Sequence, residues 1–189
     1  MNNLSDYASN VCDLINKTVF TDANGKKFNV SDGTKKCLTE LDNVRKRNKN
    51  VVVVGNGGSA AIASHLQNDL VKGCGIRSMV FTEQPLLTAL TNDLGYETVY
   101  EIPIGVMADS GDLLIAISSS GQSKNILNAV KIALTKQMKI ITLSGFDSGN
   151  PLRSLGHFNF YSNTSEYGLI ENVHSIITHY LSDSLRKKV

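Results

Sequence analysis

Residues 51–59 constrain this chain more than any other segment. Val51-Val52-Val53-Val54 is a short, uniformly apolar, β-branched run. A run without alternation suits a parallel strand covered on both faces, because neither face is built for water. It leads directly into Gly55-Asn56-Gly57-Gly58-Ser59, and a helical pattern follows to about Lys72. The unit of strand, polar turn and helix then recurs. Residues 77–81 read as a second strand. Asp112–Ile117 reads as a third, meeting Ser118-Ser119-Ser120-Gly121-Gln122-Ser123 and a helix to about Thr135. Lys139–Leu143 is a fourth, followed by Ser144-Gly145, and Phe158–Tyr161 a fifth. A last helix spans about Tyr167 to Leu185. The expected fold class is α/β, a five-stranded parallel sheet flanked on both faces by helices.

Upstream of this core the texture differs. Leu4, Tyr7, Ala8, Val11, Leu14 and Ile15 have helical spacing over 4–18. Residues 20–33 read as a polar loop with turn signals at Asn24-Gly25 and Asp32-Gly33. A second helix over about 34–48 carries Cys37, Leu38, Leu41 and Val44 on one stripe and ends in Arg45-Lys46-Arg47, a solvated helix C-terminus. No linker or low-complexity segment divides the chain. Residues 1–189 therefore read as one domain, with N-terminal helices over 1–49 and the α/β core over 50–189.

Composition excludes several function classes. Nineteen Lys and Arg stand against 17 acids, a net charge of +2, which is no basis for a nucleic-acid or membrane-surface protein. Trp is absent and aromatic residues are 6%, too few for a base-stacking platform. Cys12, Cys37 and Cys74 form no CxxC pair, so a disulfide framework or zinc ribbon is not expected; buried free thiols in a reducing compartment are. No stretch reaches the ~18 apolar residues of a membrane span, and no basic, then apolar, leader opens the chain. The expected location is cytoplasmic.

Ligands of open α/β sheets bind outside the carboxyl ends of the strands, where two polar turns sit here. Gly55–Ser59 opens a helix, so free backbone N–H groups and the helix dipole favour an anion. Ser118, Ser119, Ser120 and Ser123 bring hydroxyls to a second helix start. Either turn alone is equally well a set of caps; the two together point to a phosphate. The first turn lacks the final glycine of G-x-G-x-x-G, and no Gly-Lys-Ser/Thr follows, which demotes NAD and ATP. His65 and Asp69 share a helix face four residues apart, as do Glu171, Ser175 and His179. Each alone reads as a surface polar group. Brought together they suit general acid/base work or a divalent metal. His157 and His174 read as structural.

These motifs carry a resemblance. Gly55–Ser59, Leu87-Thr88-Ala89-Leu90-Thr91-Asn92-Asp93, Ile117–Ser123 and Ile170-Glu171-Asn172-Val173-His174 with His179 are similar to those of the sugar isomerase (SIS) domain family, in its phosphoheptose isomerase branch. The resemblance covers nearly the whole chain. It implies the three-layer SIS fold and an isomerase interconverting sedoheptulose 7-phosphate and D-glycero-D-manno-heptose 7-phosphate through an enediolate, feeding heptose to lipopolysaccharide or capsule. It implies substrate contacts at Asn56, Gly57, Gly58, Ser59, Asp93, Ser118, Ser119, Ser120, Ser123 and Glu171. It implies catalysis by Asp69 as base and His179 as acid, and one Zn2+ per subunit on His65, Asp69, Glu171 and His179. It also implies a homotetramer with sites at subunit interfaces. Two positions depart from the family pattern: Asp69 stands where glutamate is usual, and Glu171 where glutamine is. The family also contains non-catalytic sugar-phosphate sensors and protein-interaction modules, and isomerases of other sugar phosphates; these are the alternative readings.

Overall fold

The computed structural model describes residues 3–186. Its elements in chain order are α1 (Leu4–Asn16), β1 (Val19–Asp22), β2 (Lys27–Phe28), α2 (Val30–Lys46), β3 (Asn50–Gly55), α3 (Gly58–Lys72), β4 (Arg77–Met79), α4 (Gln84–Leu94), a 3-10 turn (Tyr96–Thr98), α5 (Glu101–Met107), β5 (Leu113–Ser118), α6 (Lys124–Thr135), β6 (Lys139–Ser144), a second 3-10 turn (Pro151–Ser154), β7 (Phe158–Tyr161) and α7 (Tyr167–Leu185). One sheet orders the strands β2-β1-β7-β6-β5-β3-β4. The five strands from β7 to β4 are parallel, as the sequence predicts.

The sheet has seven strands rather than five. The two extra ones, β1 and β2, lie in the segment read as a polar loop, and β1 pairs antiparallel with both β2 and β7. The polar turn residues 22–27 mask two apolar anchors. Phe20 is fully buried against the rings of Phe158 and Phe160, and Phe28 packs edge-on to it. Gly33 leaves the space that the Phe20 ring fills. The second helix also begins earlier than its apolar stripe suggests. Asn29 caps it, its side-chain oxygen accepting from Asp32 N at 2.8 Å. Cys37 and Cys74 are buried as expected, whereas Cys12 is exposed.

Alternate residues of the central strands feed two cores, which is why their sequences are continuously apolar. Val51, Val53, Leu113, Ile115 and Ile117 face α2, α3 and α7 through Leu41, Leu66, Leu70, Val173 and Ile177. Val52, Val54, Leu114 and Ala116 face α5 and α6 through Ile104, Ile126 and Val130. The helix after β3 thus covers one face and the helix after β5 the other. Where neighbouring crossovers leave to opposite faces, the turns at the strand ends part and a crevice opens. The register pairs Gly55 with Ile117, so Asn56 and Ser118 leave the sheet side by side at that point.

Candidate functional site

The crevice holds a cavity of about 120 Å³ lined by Asn56, Ser59, Ile117, Ser118, Ser119, Ser120, Ser123, Tyr167 and Glu171. Gly57 turns the chain into α3 with φ +53°, a conformation that disfavours side chains. Gly58 leaves room of a different kind: a methyl group there would meet the Glu171 carboxylate and displace it. Part of the serine set shapes its own turn, whereas Ser123, the N-cap of α6, makes no side-chain cap bond. Ser118 Oγ accepts from Gly121 N at 3.2 Å, and Ser120 Oγ accepts from Gln122 N at 3.3 Å. Among the described residues no Lys, Arg or His lines the cavity. An anion there is met by hydroxyls, an amide and helix-start N–H groups.

The first turn is locked by groups the sequence reading missed. Asn56 and Asn125 exchange side-chain hydrogen bonds in both directions, at 2.9 and 2.8 Å. The Tyr96 hydroxyl donates to Asn56 Oδ1 at 2.9 Å. The buried Tyr100 hydroxyl donates to Gly55 O, and burial pushes its pKa up to about 12, so it remains a donor. Only the place of Asn125 at a helix start, two residues past the serine turn, hints at its role in sequence.

A second group lies further along α3 and α7. His65, Asp69 and His179 each offer a ligand atom, all within 4.8 Å of one another. Asp69 Oδ2 is 3.6 Å from His65 Nε2 and 3.5 Å from His179 Nδ1. The imidazoles are 59% and 45% exposed, while the Asp69 side chain is only 9% exposed. Ser182 Oγ donates to Asp69 Oδ2 at 3.3 Å, and Arg186 Nη2 stands 3.9 Å from Oδ1. Two imidazole nitrogens and a carboxylate oxygen converging this way form a donor set that fits Zn2+. The cavity beside them is only about 10 Å³.

The structure therefore divides the expected site residues. Asn56, Ser59, Ser118, Ser119, Ser120, Ser123 and Glu171 meet around one cavity, with Gly57 and Gly58 forming its turn. His65, Asp69 and His179 meet around the other, and Glu171 is not one of that group. Asp93 stands apart on α4, a helix without a buried residue, where its carboxylate accepts from Asn92 Nδ2. His157 is structural, its Nδ1 accepting from Ile140 N. His174 is fully buried on the inner face of α7. Neither of its ring nitrogens has a well-formed hydrogen bond, the Ser144 backbone being the nearby polar group, and burial pushes its pKa down to about 4.

The chain has known relatives. A family model described as "SIS domain" matches residues 32–145. The phosphoheptose isomerase of Shewanella denitrificans is 32% identical over 145 residues, covering 72% of this chain and 74% of that protein. The chain belongs to the SIS domain family, in its phosphoheptose isomerase branch. Solved structures agree in fold across the SIS core and the N-terminal helices. A phosphoheptose isomerase from Neisseria gonorrhoeae matches with a TM-score of 0.75 at 27% identity, covering 82% of this chain and 86% of that one. One from Francisella tularensis matches at 0.80 and 22%, covering 96% and 92%. The chain's relatives of 32–34% identity are phosphoheptose isomerases, and the chain is an isomerase.

Proposed function

We propose that the chain interconverts sedoheptulose 7-phosphate and a heptose 7-phosphate aldose. The observation that carries this reading is the switch-point cavity: a cation-free, serine-lined anion site sharing its wall with a carboxylate. The phosphate is the remote handle. Asn56, Ser59 and the serines of 118–123 hold it and fix the sugar chain, so that binding energy orients the reacting carbons. Aldose–ketose exchange then needs a base for the carbon-bound proton and an acid at the carbonyl oxygen. Asp69 and Glu171 are the carboxylates at hand, and His179 is the acid. His65, Asp69 and His179 would hold a Zn2+, one per subunit, whose chemistry is that of a Lewis acid on a carbonyl oxygen. Asp93 serves sugar hydroxyls once α4 is brought to a site.

Exposed Leu86, Leu94, Tyr96, Val106 and Met107 on the α4–α5 side, with Ile176 and Tyr180 on α7, support assembly into a homotetramer with sites between subunits. Among the described residues no helix is long and apolar enough to cross a membrane, and the reading places the protein in the cytoplasm as a single SIS domain. The test is an NMR assay of purified protein with sedoheptulose 7-phosphate and added Zn2+. Steady formation of the aldose supports the reading; no conversion at any metal concentration overturns it.

A further inference from the structure

We propose that Tyr167, backed by Phe146, is the platform on which the sugar of a bound sugar phosphate rests, and that this ring sets the preference for a sugar phosphate over bare phosphate. The inference rests on the sugar-phosphate reading and deepens it. The serine-lined cavity holds about 120 Å³, whereas a small-molecule site usually offers roughly 300–1,000 Å³. It has room for the phosphate end of a substrate, and the carbon chain must leave across its mouth. Its lining comes from two sides. The turns after β3 and β5 supply an amide and the hydroxyls, and α7 supplies Tyr167 and Glu171. With the turns given to the phosphate, the α7 wall is what remains for the sugar.

Tyr167 is the first residue of α7, four before Glu171 and so on the same helix face. Its ring lines the cavity yet is 61% exposed, which sets it at the mouth. Among the described residues it is the one aromatic group in that lining. A sugar carries hydroxyls on its edge and C–H groups on its faces. A tyrosine ring suits both, with an apolar face for the C–H groups and a wet rim for the hydroxyls.

The ring is held from behind. Phe146 packs edge-on against it, with centroids 4.9 Å apart and planes at 71°. Phe146 belongs to neither hydrophobic core. Its backbone is left-handed, φ +56°, which is uncommon for a bulky residue and persists only where the surroundings impose it. Two hydrogen bonds impose it here. Phe146 N donates to Thr164 O at 2.9 Å, and the hydroxyl of the buried Tyr161 donates to Phe146 O at 2.8 Å. The turn after β6 therefore sends its ring to the start of α7. A fixed backing keeps Tyr167 in place, so little freedom is lost when the sugar arrives.

The experiment measures by calorimetry the dissociation constants of sedoheptulose 7-phosphate and of inorganic phosphate for wild-type protein, Tyr167→Ala, Tyr167→Phe and Phe146→Leu. Tyr167→Ala is expected to weaken the sugar phosphate about tenfold and inorganic phosphate by less than about twofold. Tyr167→Phe keeps the ring and is expected to stay within about threefold of wild type for the sugar phosphate, with Phe146→Leu between the two. Tyr167 is exposed enough for either substitution to leave the fold intact, which melting temperatures check. Equal weakening of both ligands by Tyr167→Ala, or no weakening, overturns the platform. So does a Tyr167→Phe variant as weak as Tyr167→Ala, which would assign the contact to the hydroxyl. Wild-type protein that does not bind the sugar phosphate overturns the sugar-phosphate reading, and the platform with it. Ring-dependent binding without conversion to the aldose in the presence of Zn2+ overturns the reaction on this sugar and leaves the platform standing.

Discussion

The two cavities are built in opposite ways. The larger one is made by backbone: strand register sets Asn56 beside Ser118, and turns present the hydroxyls. The smaller is made by side chains reaching between two helices, with imidazoles about half exposed. A site set by register changes slowly, because altering it means altering the sheet. A site set by side chains can be retuned by single substitutions. Asp69 and Glu171, the two positions where the resemblance implies a departure, both lie on helices, outside the two turns.

Acidification is the largest perturbation expected of α7, the helix shared by both cavities. His174 is neutral in the fold, with a pKa near 4 against an ordinary value of 6.5. The unfolded chain therefore binds the proton first. The stability this burial confers is complete above about pH 6.5 and is lost as pH falls towards 4, a drop of about 3 kcal/mol. Denaturant titrations across that range should show the slope, and His174→Leu should flatten it.

Next in size, Gly58→Ala should displace the Glu171 carboxylate. A misplacement of ~1 Å is expected to cost about a hundredfold in turnover, with the melting temperature nearly unchanged. Loss of stability without loss of turnover would assign Gly58 to folding alone. Ser182→Ala removes the hydroxyl behind Asp69 and should weaken zinc binding about tenfold while leaving phosphate affinity untouched; an equal loss at both cavities would erase the distinction between them. The smallest expected effect is that of salt. With no cation among the described residues lining the larger cavity, raising ionic strength from about 0.05 to 0.2 M should change inorganic phosphate affinity by less than about twofold. A steep salt dependence would reveal a Lys or Arg brought in from outside the lining.

The parallel core was legible because valine and isoleucine runs meeting polar turns leave few alternatives. The serine-lined cavity was partly legible, since most of its residues cluster in the turns 55–59 and 117–123, while Tyr167 comes from α7 and was not foreseen. The β1–β2 hairpin was not, because Val19, Phe20 and Phe28 are the only large apolar residues between 19 and 28, and Phe20 finds its partners on β7, far along the chain. The pairing of Asn56 with Asn125 and of Asp69 with Ser182 was hidden likewise, being fixed by crossover geometry rather than by spacing. The i, i+4 pattern correctly joined His65 to Asp69. It could not separate Glu171 from His179, because eight residues along α7 span about 12 Å and so reach two different cavities.

The sheet ends in stubs. β2 is two residues long at one edge and β4 three at the other. Short borders offer little unpaired backbone to a stray strand, and Lys27 and Arg77 add charge to them. The hairpin that the sequence concealed thus covers the edge of β7, which would otherwise offer its backbone to a stray strand.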